Sequence, residues 1–249
     1  MGTALPAARH ILIADDHPMM RGALAQLVAG ALPDTEILEA ASLDQVIAAV
    51  GAHPTPAGID LLLLDLNMPG MNGFSGLLLI RAEFPALPVI VISASEDAET
   101  IGRAFDYGAS GFIPKSAPGE RLAEAIGAVL AGDLWFPEHG EPGERAEDAD
   151  LATRLAALTP QQLRVFMMVA EGRLNKQIAH ELAITEATVK AHVTMILRKL
   201  GVANRTQAVI AGARLRIEPA HPAPVSPPTE PGAAPAGSGG STARATRRD

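Results

Sequence analysis

The stretch Leu61-Leu62-Leu63-Leu64-Asp65-Leu66-Asn67-Met68-Pro69-Gly70 decides the fold, because it has the pattern of a buried strand that ends in a carboxylate and a turn. Four consecutive leucines followed by Pro and Gly are typical of a central strand in a parallel sheet covered on both faces. Asp65 then lies at the carboxyl end of the strand, which is the edge where open parallel sheets bind ligands. An Asp here could also cap a helix that starts near Gly73, so Asp65 alone leaves its role open.

Three other apolar runs also end in side chains with matching chemistry. Residues 10–14 lead into Asp15 and Asp16, residues 88–92 into Ser93, and residues 111–114 into Lys115. Carboxylates at neighbouring strand ends repel one another, and a hard cation with oxygen ligands, typically Mg²⁺, relieves that repulsion. Carboxylates, a cation, a hydroxyl and an ammonium are the parts needed to hold a phosphoryl group. Asp65 is the predicted nucleophile, which forms an acyl phosphate.

The order of the elements predicts an α/β domain followed by a helical one. Five apolar runs alternate with amphipathic segments, which favours right-handed crossovers and a doubly wound, five-stranded parallel sheet of the flavodoxin-like type. Ser42 and Gln45 form a capping box that starts the second helix. The remaining strand is predicted at residues 36–40. The helices of this half are predicted roughly at residues 18–29, 42–50, 73–83, 95–107 and 118–130.

Composition and charge predict two domains, with a basic block in the second half. The chain has 249 residues and no cysteine, so disulfides and thiolate metal sites are excluded. The net charge is −10 over residues 1–136, −4 over 137–157, +6 over 158–216 and zero over 217–249. The basic block is predicted to contact nucleic acid, although a basic helix is more often a solvated face. No apolar run reaches the length of a membrane span and no signal peptide is recognised, so a cytoplasmic location is expected.

The basic block has the helix pattern of a helix-turn-helix. Thr159 is the predicted N-cap of its first helix, with Pro160 at the first position and Gln162 closing a capping box. Two helices joined by a short turn follow, and the second of them, residues 186–200, keeps polar side chains on its outer face. A fourth helix is predicted to begin at Arg205. The alternative is a small helical bundle whose basic residues are only surface.

The first half resembles the receiver domains of two-component response regulators, over roughly residues 9–131. The resemblance rests on Asp15-Asp16-His17-Pro18, the stretch from Asp65 to Gly70, Ser93 and Lys115. His17 is interpreted as a loop residue rather than a ligand, because one imidazole among hard carboxylates suits Mg²⁺ poorly.

The receiver resemblance implies a role for each of these residues. Asp65 would be phosphorylated by a sensor histidine kinase. Mg²⁺ would be held by Asp15, Asp16, Asp65 and the backbone carbonyl of Asn67. Ser93 and Lys115 would contact the phosphoryl oxygens. Phe112 falls on the family's switch aromatic, which turns inward when the hydroxyl moves.

The second half resembles the DNA-binding domain of the LuxR type, over roughly residues 156–213. The matching positions are Leu158-Thr159-Pro160, Glu171-Gly172, Asn175-Lys176, Ile178-Ala179, Leu182, Thr188-Val189-Lys190, His192, Lys199-Leu200 and Arg205-Thr206-Gln207-Ala208. One departure is Gln162, where the family usually has Glu, and Gln still closes the capping box. The resemblance implies four helices, with residues 186–199 in the major groove and a dimer contact through the fourth helix at Arg205 and Val209. The side chains expected to meet DNA are Lys176, Thr188, Lys190, Ala191, Thr194, Arg198 and Lys199.

Together the two resemblances identify the chain as a member of the NarL/FixJ class of response regulators. The expected divisions are a receiver at residues 9–133, an acidic linker at 134–155, the helix-turn-helix domain at 156–216 and a disordered tail at 217–249. Phosphorylation is expected to control sequence-specific DNA binding and transcription, with a histidine kinase, double-stranded DNA and a second copy of the chain on DNA as partners. The receiver is hypothesised either to mask the DNA-binding face or to hold the dimer apart.

Two alternatives use the same residues differently. An Asp-nucleophile phosphatase would share Asp65 and Mg²⁺, but such enzymes need a second Asp two positions after the nucleophile, where this chain has Asn67. The chain is therefore not expected to be an enzyme beyond its own phosphorylation and dephosphorylation. The other alternative is a receiver that works without phosphate. The complete set of Asp15, Asp16, Asp65, Ser93 and Lys115 argues against it.

Overall fold

A computed structural model describes residues 9–53, 58–137 and 146–215 of the chain. In the first two stretches, strands alternate with helices as β1 (Arg9–Ala14), α1 (Pro18–Ala31), β2 (Thr35–Ala40), α2 (Leu43–Ala52), β3 (Leu61–Asp65), α3 (Ser75–Glu83), β4 (Val89–Ser93), α4 (Ala98–Asp106), β5 (Gly111–Pro114) and α5 (Gly119–Ala131). The third stretch is helical, with α6 (Ala146–Ala156), α7 (Pro160–Ala170), α8 (Asn175–Glu181), α9 (Glu186–Leu200) and α10 (Arg205–Ala213).

The strands form one parallel sheet in the order β2-β1-β3-β4-β5. The register places Ala14 beside Leu64 and Asp65 beside Ile92, so β1, β3 and β4 end at the same edge. Helices follow each strand and lie on both faces of the sheet, as right-handed crossovers require. The predicted fold class, a doubly wound five-stranded sheet followed by a helical domain, is confirmed.

The sheet core explains why four leucines stand in a row. Every residue of β3 is buried, because both faces of this central strand are covered. Leu61 and Leu63 pack with the buried residues of α1 and α5, whereas Leu62 and Leu64 pack on the opposite side with those of α2 and α3. Each buried leucine contributes about 2 kcal/mol of transfer free energy. These side chains hold Asp65 at a fixed height at the edge of the sheet.

The caps of α2 and α4 agree with the sequence. Ser42 caps α2 as predicted, since its hydroxyl accepts a hydrogen bond from the backbone N–H of Gln45. The cap of α4 is Asp97, within the stretch 95–97 where the sequence predicts the start of this helix, because Asp97 accepts hydrogen bonds from both the backbone N–H and the hydroxyl of Thr100. The helix ends before Gly108, whose φ of 84° is the left-handed conformation that glycine adopts without strain.

The segment expected to be an acidic linker is partly helical, because α6 occupies most of its second half. Leu151 and Leu155 lie one turn apart and are buried, which gives α6 an apolar face. Arg154 of α6 donates a hydrogen bond to the carbonyl of Leu200 at 2.7 Å, so α6 is fastened to the end of α9.

Several sequence predictions cannot be compared with the described residues. The predicted disordered tail, residues 217–249, lies outside them, as does part of the linker. The proposed domain boundaries stay predictions. Within the described parts of the chain, no helix is both long and apolar enough to cross a membrane.

Candidate phosphoacceptor site and nucleic-acid interface

A cluster of charged side chains lies at the carboxyl edge of the sheet. Asp15 and Asp65 are at most 1% exposed. The Lys115 ammonium donates hydrogen bonds to Asp15 Oδ2 at 2.7 Å and to Asp65 Oδ2 at 2.9 Å. Asp16 and His17 belong to the same cluster, since one ligand atom from each of the four acidic and imidazole residues lies within 4.8 Å of the others. The structure therefore brings the three predicted carboxylates and the predicted ammonium together.

Burial sets the charge balance of this cluster. Burial raises the pKa of the Asp65 carboxyl above its ordinary value; Lys115 lowers it and the Asp15 carboxylate raises it. Burial also lowers the pKa of Lys115, but hydrogen bonds to Asp15 and Asp65 outweigh this and leave its pKa raised. Lys115 is therefore a stable cation at neutral pH, and it bonds two of the three carboxylates of the cluster. The excess of negative charge suits a cation.

Two carboxylate oxygens of the cluster are buried without a hydrogen bond of normal geometry. They are Oδ1 of Asp65 and Oδ1 of Asp16. Asp16 Oδ1 lies 2.6 Å from Nδ1 of the His17 ring, which is 70% exposed. A buried acceptor without a partner costs free energy, so Oδ1 of Asp65 fits a site that an oxygen-seeking cation or a phosphoryl group completes.

The remaining predicted site residues surround Asp65 in different environments. Ser93 is buried, and its hydroxyl accepts a hydrogen bond from the backbone N–H of Ser95 at 3.1 Å. Phe112 is fully buried, and its role as a switch aromatic stays a prediction. Asn67 is exposed two residues beyond Asp65. Its backbone N–H contributes a smaller lowering effect on the pKa of Asp65, after burial and Lys115.

Arg21 of α1 is a site residue that the sequence predictions missed. Its guanidinium donates a hydrogen bond to the backbone carbonyl of Asp15 at 2.7 Å. The signal that could have found it is composition, because Arg21 is the one charged residue in the sequence of α1.

The predicted DNA-contacting side chains are mostly exposed on one helix face. The exposed set comprises Lys176 on α8 and Thr188, Lys190, Ala191, Thr194 and Arg198 on α9. Lys199 differs, because its ammonium donates hydrogen bonds at 2.8 Å to the carbonyl of Ala157 and to the side chain of Gln162. Its contact with DNA stays a prediction, and the structure gives it a second role in fixing α9 to the start of α7.

The predicted dimer residues on α10 also face inward in part. Arg205 donates hydrogen bonds to Asn175 Oδ1 at 3.0 Å and to the carbonyl of Arg173. Val209 is half-buried, whereas its neighbour Ile210 is 63% exposed. The exposed apolar group on this helix is therefore Ile210, which was not predicted. Its position next to Val209 in an amphipathic run was the available signal.

The helical part of the chain contacts the sheet domain through α3 and α7. The backbone N–H of Phe74, at the start of α3, donates a hydrogen bond to the carbonyl of Leu215 at 2.9 Å. Arg164 of α7 forms an ion pair with Glu83 at 2.6 Å. Phe74 also lies beneath the guanidinium of Arg103 from α4, 4.9 Å from the ring centre. The bond to Leu215 joins the end of α10 to the start of α3, and the ion pair joins α7 to the end of α3.

Comparison with known proteins agrees with the fold and with the two predicted kinds of domain. The model for the response regulator receiver domain matches residues 11–127, and the model for the bacterial regulatory proteins of the luxR family matches residues 156–211. A glycerol metabolism activator from Pseudomonas putida is 44% identical over 209 residues, which cover 81% of this chain and 93% of that protein. The nitrate/nitrite response regulator NarL of Escherichia coli K12 is 36% identical over 205 residues, covering 80% and 93%.

A solved structure of the RcsB response regulator from Salmonella typhimurium is 22% identical, covers 84% of this chain and 99% of that chain, and has a TM-score of 0.48. A parallel receiver fold with a buried aspartate bonded to a lysine at its edge, followed by a LuxR-type helical domain, defines a class of two-component transcription regulators. The chain belongs to this class, the NarL/FixJ family of response regulators.

Proposed function

We propose that Asp65 accepts a phosphoryl group from the phosphohistidine of a sensor kinase, and that this modification controls DNA binding by α9. The observation that carries the proposal is the buried Asp65 carboxylate, which has one oxygen held by Lys115 and the other without a hydrogen bond. In the transfer, Asp65 Oδ1 forms a bond to phosphorus, the P–N bond of the phosphohistidine breaks, and the imidazole leaves with that electron pair.

The donor set of the site fits Mg²⁺, the hard cation that prefers carboxylate and carbonyl oxygens. We assign the carboxylates of Asp16 and Asp65 and the backbone carbonyl of Asn67 as direct ligands, with Asp15 supporting the cation through water. When bound, the cation supplies positive charge against the phosphoryl oxygens.

Lys115 and Ser93 have separate roles in this proposal. Lys115 holds a phosphoryl oxygen with the ammonium that now bonds Asp15 and Asp65. Ser93 gives up its bond from the Ser95 N–H and donates its hydroxyl proton to another oxygen. The chemistry ends on the protein itself, because Asn67 cannot act as the general acid of a phosphatase. Catalytic turnover of an external phosphate ester is not expected.

For DNA binding, we infer that the exposed face of α9 enters the major groove. Lys190 and Thr194 lie one turn apart on this face, and both are exposed. Lys190 stands one turn into the helix, where side chains commonly reach base edges, whereas Arg198 near the far end is placed for phosphate.

The sequence left two hypotheses for the switch. The unphosphorylated receiver either masks the DNA-binding face or holds the two copies of the dimer apart. The contacts between the domains support the second hypothesis. The predicted DNA-contacting residues of α9 other than Lys199 are exposed and so are not covered by the receiver, whereas the end of α10 is tied to Phe74 through Leu215. We propose that phosphorylation releases this tie and frees α10, with Ile210 at its exposed side, to pair with a second copy.

The phosphoacceptor is tested by labelling with acetyl phosphate and Mg²⁺. Asp65→Asn removes the nucleophilic oxygen and keeps the shape, so it should acquire no acid-labile phosphate. Asp60→Asn is the matched control, because Asp60 lies at the other end of β3, where it accepts a hydrogen bond from the His10 N–H at 2.7 Å. Labelling of Asp65→Asn at the wild-type rate would overturn the proposal.

The switch is tested with a fragment that starts at Ala146, so that α6 is complete. This fragment should bind DNA without phosphate, and tighter than the unphosphorylated whole chain. Sedimentation of the whole chain at binding concentrations should show a larger mass after phosphorylation. An unchanged mass would rule out dimerisation as the switch. Binding by the fragment that is no tighter than that of the unphosphorylated whole chain would rule out inhibition by the receiver.

A further inference from the structure

Every polar group of Asp15 is engaged. Its N–H donates to the carbonyl of Ala40 at 3.1 Å, and its carbonyl accepts from Arg21 at 2.7 Å. Its Oδ1 accepts from the backbone N–H of His17 at 2.8 Å, and its Oδ2 accepts from Lys115 at 2.7 Å. The main chain at this point is therefore held from both sides.

Arg21 is held in place by a partner of its own. Its Nε lies 2.9 Å from Oε2 of Glu39, near the end of β2, and the Arg21 side chain is only 16% exposed. One planar guanidinium thus joins the loop after β1 to the neighbouring strand. A guanidinium makes two such bonds in a fixed plane, which a lysine ammonium does not reproduce.

We propose that Arg21, oriented by Glu39, is a positioning residue for the divalent cation. This inference rests on the proposed phosphoacceptor function of the site. The carbonyl that Arg21 holds belongs to the peptide plane that joins Asp15 to Asp16. Fixing that plane constrains the direction in which the Asp16 side chain extends from the backbone. Together with the His17 ring, whose Nδ1 lies 2.6 Å from Oδ1 of Asp16, it sets how far that oxygen lies from Oδ1 of Asp65.

Charge alone predicts the opposite effect, which makes the inference testable. A guanidinium near a cation site repels the cation, so loss of Arg21 would tighten Mg²⁺ binding if Arg21 acted only through its charge. Loss of a positioning residue weakens binding instead, because the ligands are no longer arranged for the cation. Removal of hydrogen-bond partners that orient metal ligands commonly weakens affinity by about tenfold or more.

The experiment is a Mg²⁺ titration of the full-length chain, paired with thermal melting in the absence of metal. Arg21→Gln is expected to raise the dissociation constant by about tenfold. The matched control is Arg81→Gln, since the guanidinium of Arg81 also donates to a backbone carbonyl, that of Leu87, at 2.8 Å, but at the other end of the sheet. Arg81→Gln should lower the melting temperature and leave the dissociation constant unchanged.

A second variant separates position from charge and serves if Arg21→Gln does not fold. Arg21→Lys keeps the charge but cannot bond both Glu39 and the Asp15 carbonyl, so Mg²⁺ should bind about threefold more weakly, a smaller loss than the roughly tenfold loss expected for Arg21→Gln. Unchanged or tighter binding in either Arg21 variant overturns the inference, as does equal weakening in Arg81→Gln. Failure of the wild type to bind Mg²⁺ would instead overturn the proposed function of the site.

Discussion

The acidic edge of the sheet and the outer face of α9 hold their polar side chains in opposite ways. Asp15 and Asp65 are buried and share the ammonium of Lys115, whereas Lys190 and Arg198 are exposed. Chemistry at phosphorus needs groups that are oriented in advance and shielded from water, because reorganisation during the reaction costs rate. A DNA-binding surface must leave its donors free for phosphates and base edges. Substitutions at the edge should therefore change stability and chemistry together, and those of exposed residues on the outer face of α9 should change DNA binding alone.

The largest expected effect on stability comes from Lys115→Met. This change leaves two buried carboxylates without their cation, and breaking such a buried pair costs about 3–5 kcal/mol. Urea unfolding at pH 7 without Mg²⁺ should show a loss of this order. The loss should shrink at lower pH, because removal of Lys115 raises the pKa of Asp65 further and the carboxyl takes up a proton.

Lys176→Met is the control for this change, since Lys176 is exposed on α8. Its stability should stay within about 0.5 kcal/mol of the wild type, as for most surface substitutions. Equal losses in the two variants would contradict the contrast between the buried edge and the exposed face.

A pair of lysines on α9 sharpens the same contrast. Lys190 is exposed, so Lys190→Ala should weaken binding to a specific site by about 1–3 kcal/mol and leave thermal stability unchanged. Lys199 bonds Ala157 and Gln162, so Lys199→Ala should lower the unfolding free energy by about 1 kcal/mol. Gel-shift titration and calorimetry on both variants measure the two effects. Equal thermal stability of the two variants would show that the hydrogen bonds of Lys199 do not stabilise the fold.

The sequence predicted the sheet and the members of the acidic edge because both depend on local pattern. Each strand is an apolar run, and Asp65, Ser93 and Lys115 stand where those runs end. The partners of Lys199 could not be predicted, because the Ala157 carbonyl is 42 positions away and only packing of α6 on α9 brings it near. Arg21 was missed for the same reason, since its contact with Glu39 needs β2 beside β1.

A smaller effect concerns Asp65 and pH. The pKa of Asp65 is raised in the folded chain, chiefly by burial, so its ionised form destabilises the fold at neutral pH. Asp65→Asn should therefore melt above the wild type at pH 7 without Mg²⁺. The difference should narrow as the pH falls through the raised pKa and vanish below the ordinary value of 3.8.

The control for the pH effect is Asp60→Asn, whose carboxylate is exposed and bonds the His10 N–H. It should show no gain in melting temperature at pH 7. A lower melting temperature for Asp65→Asn at that pH would show that its bond to Lys115 outweighs burial.

The smallest effect is expected at the contact between the two domains. Glu83 is 15% exposed and Arg164 is 38% exposed, so water screens their ion pair in part. A double-mutant cycle with Glu83→Ala and Arg164→Ala should give a coupling free energy of about 0.5–1 kcal/mol. If the pair helps to hold α10 on the receiver, each single variant should bind DNA without phosphate up to about fivefold tighter than the wild type.

The control is the ion pair of Arg173 with Glu181, which lies within the helical domain, and its loss should not change phosphate-free binding. If DNA binding is unchanged while the coupling is measurable, the pair stabilises the contact but does not restrain the switch, and the restraint lies in the bond between Phe74 and Leu215.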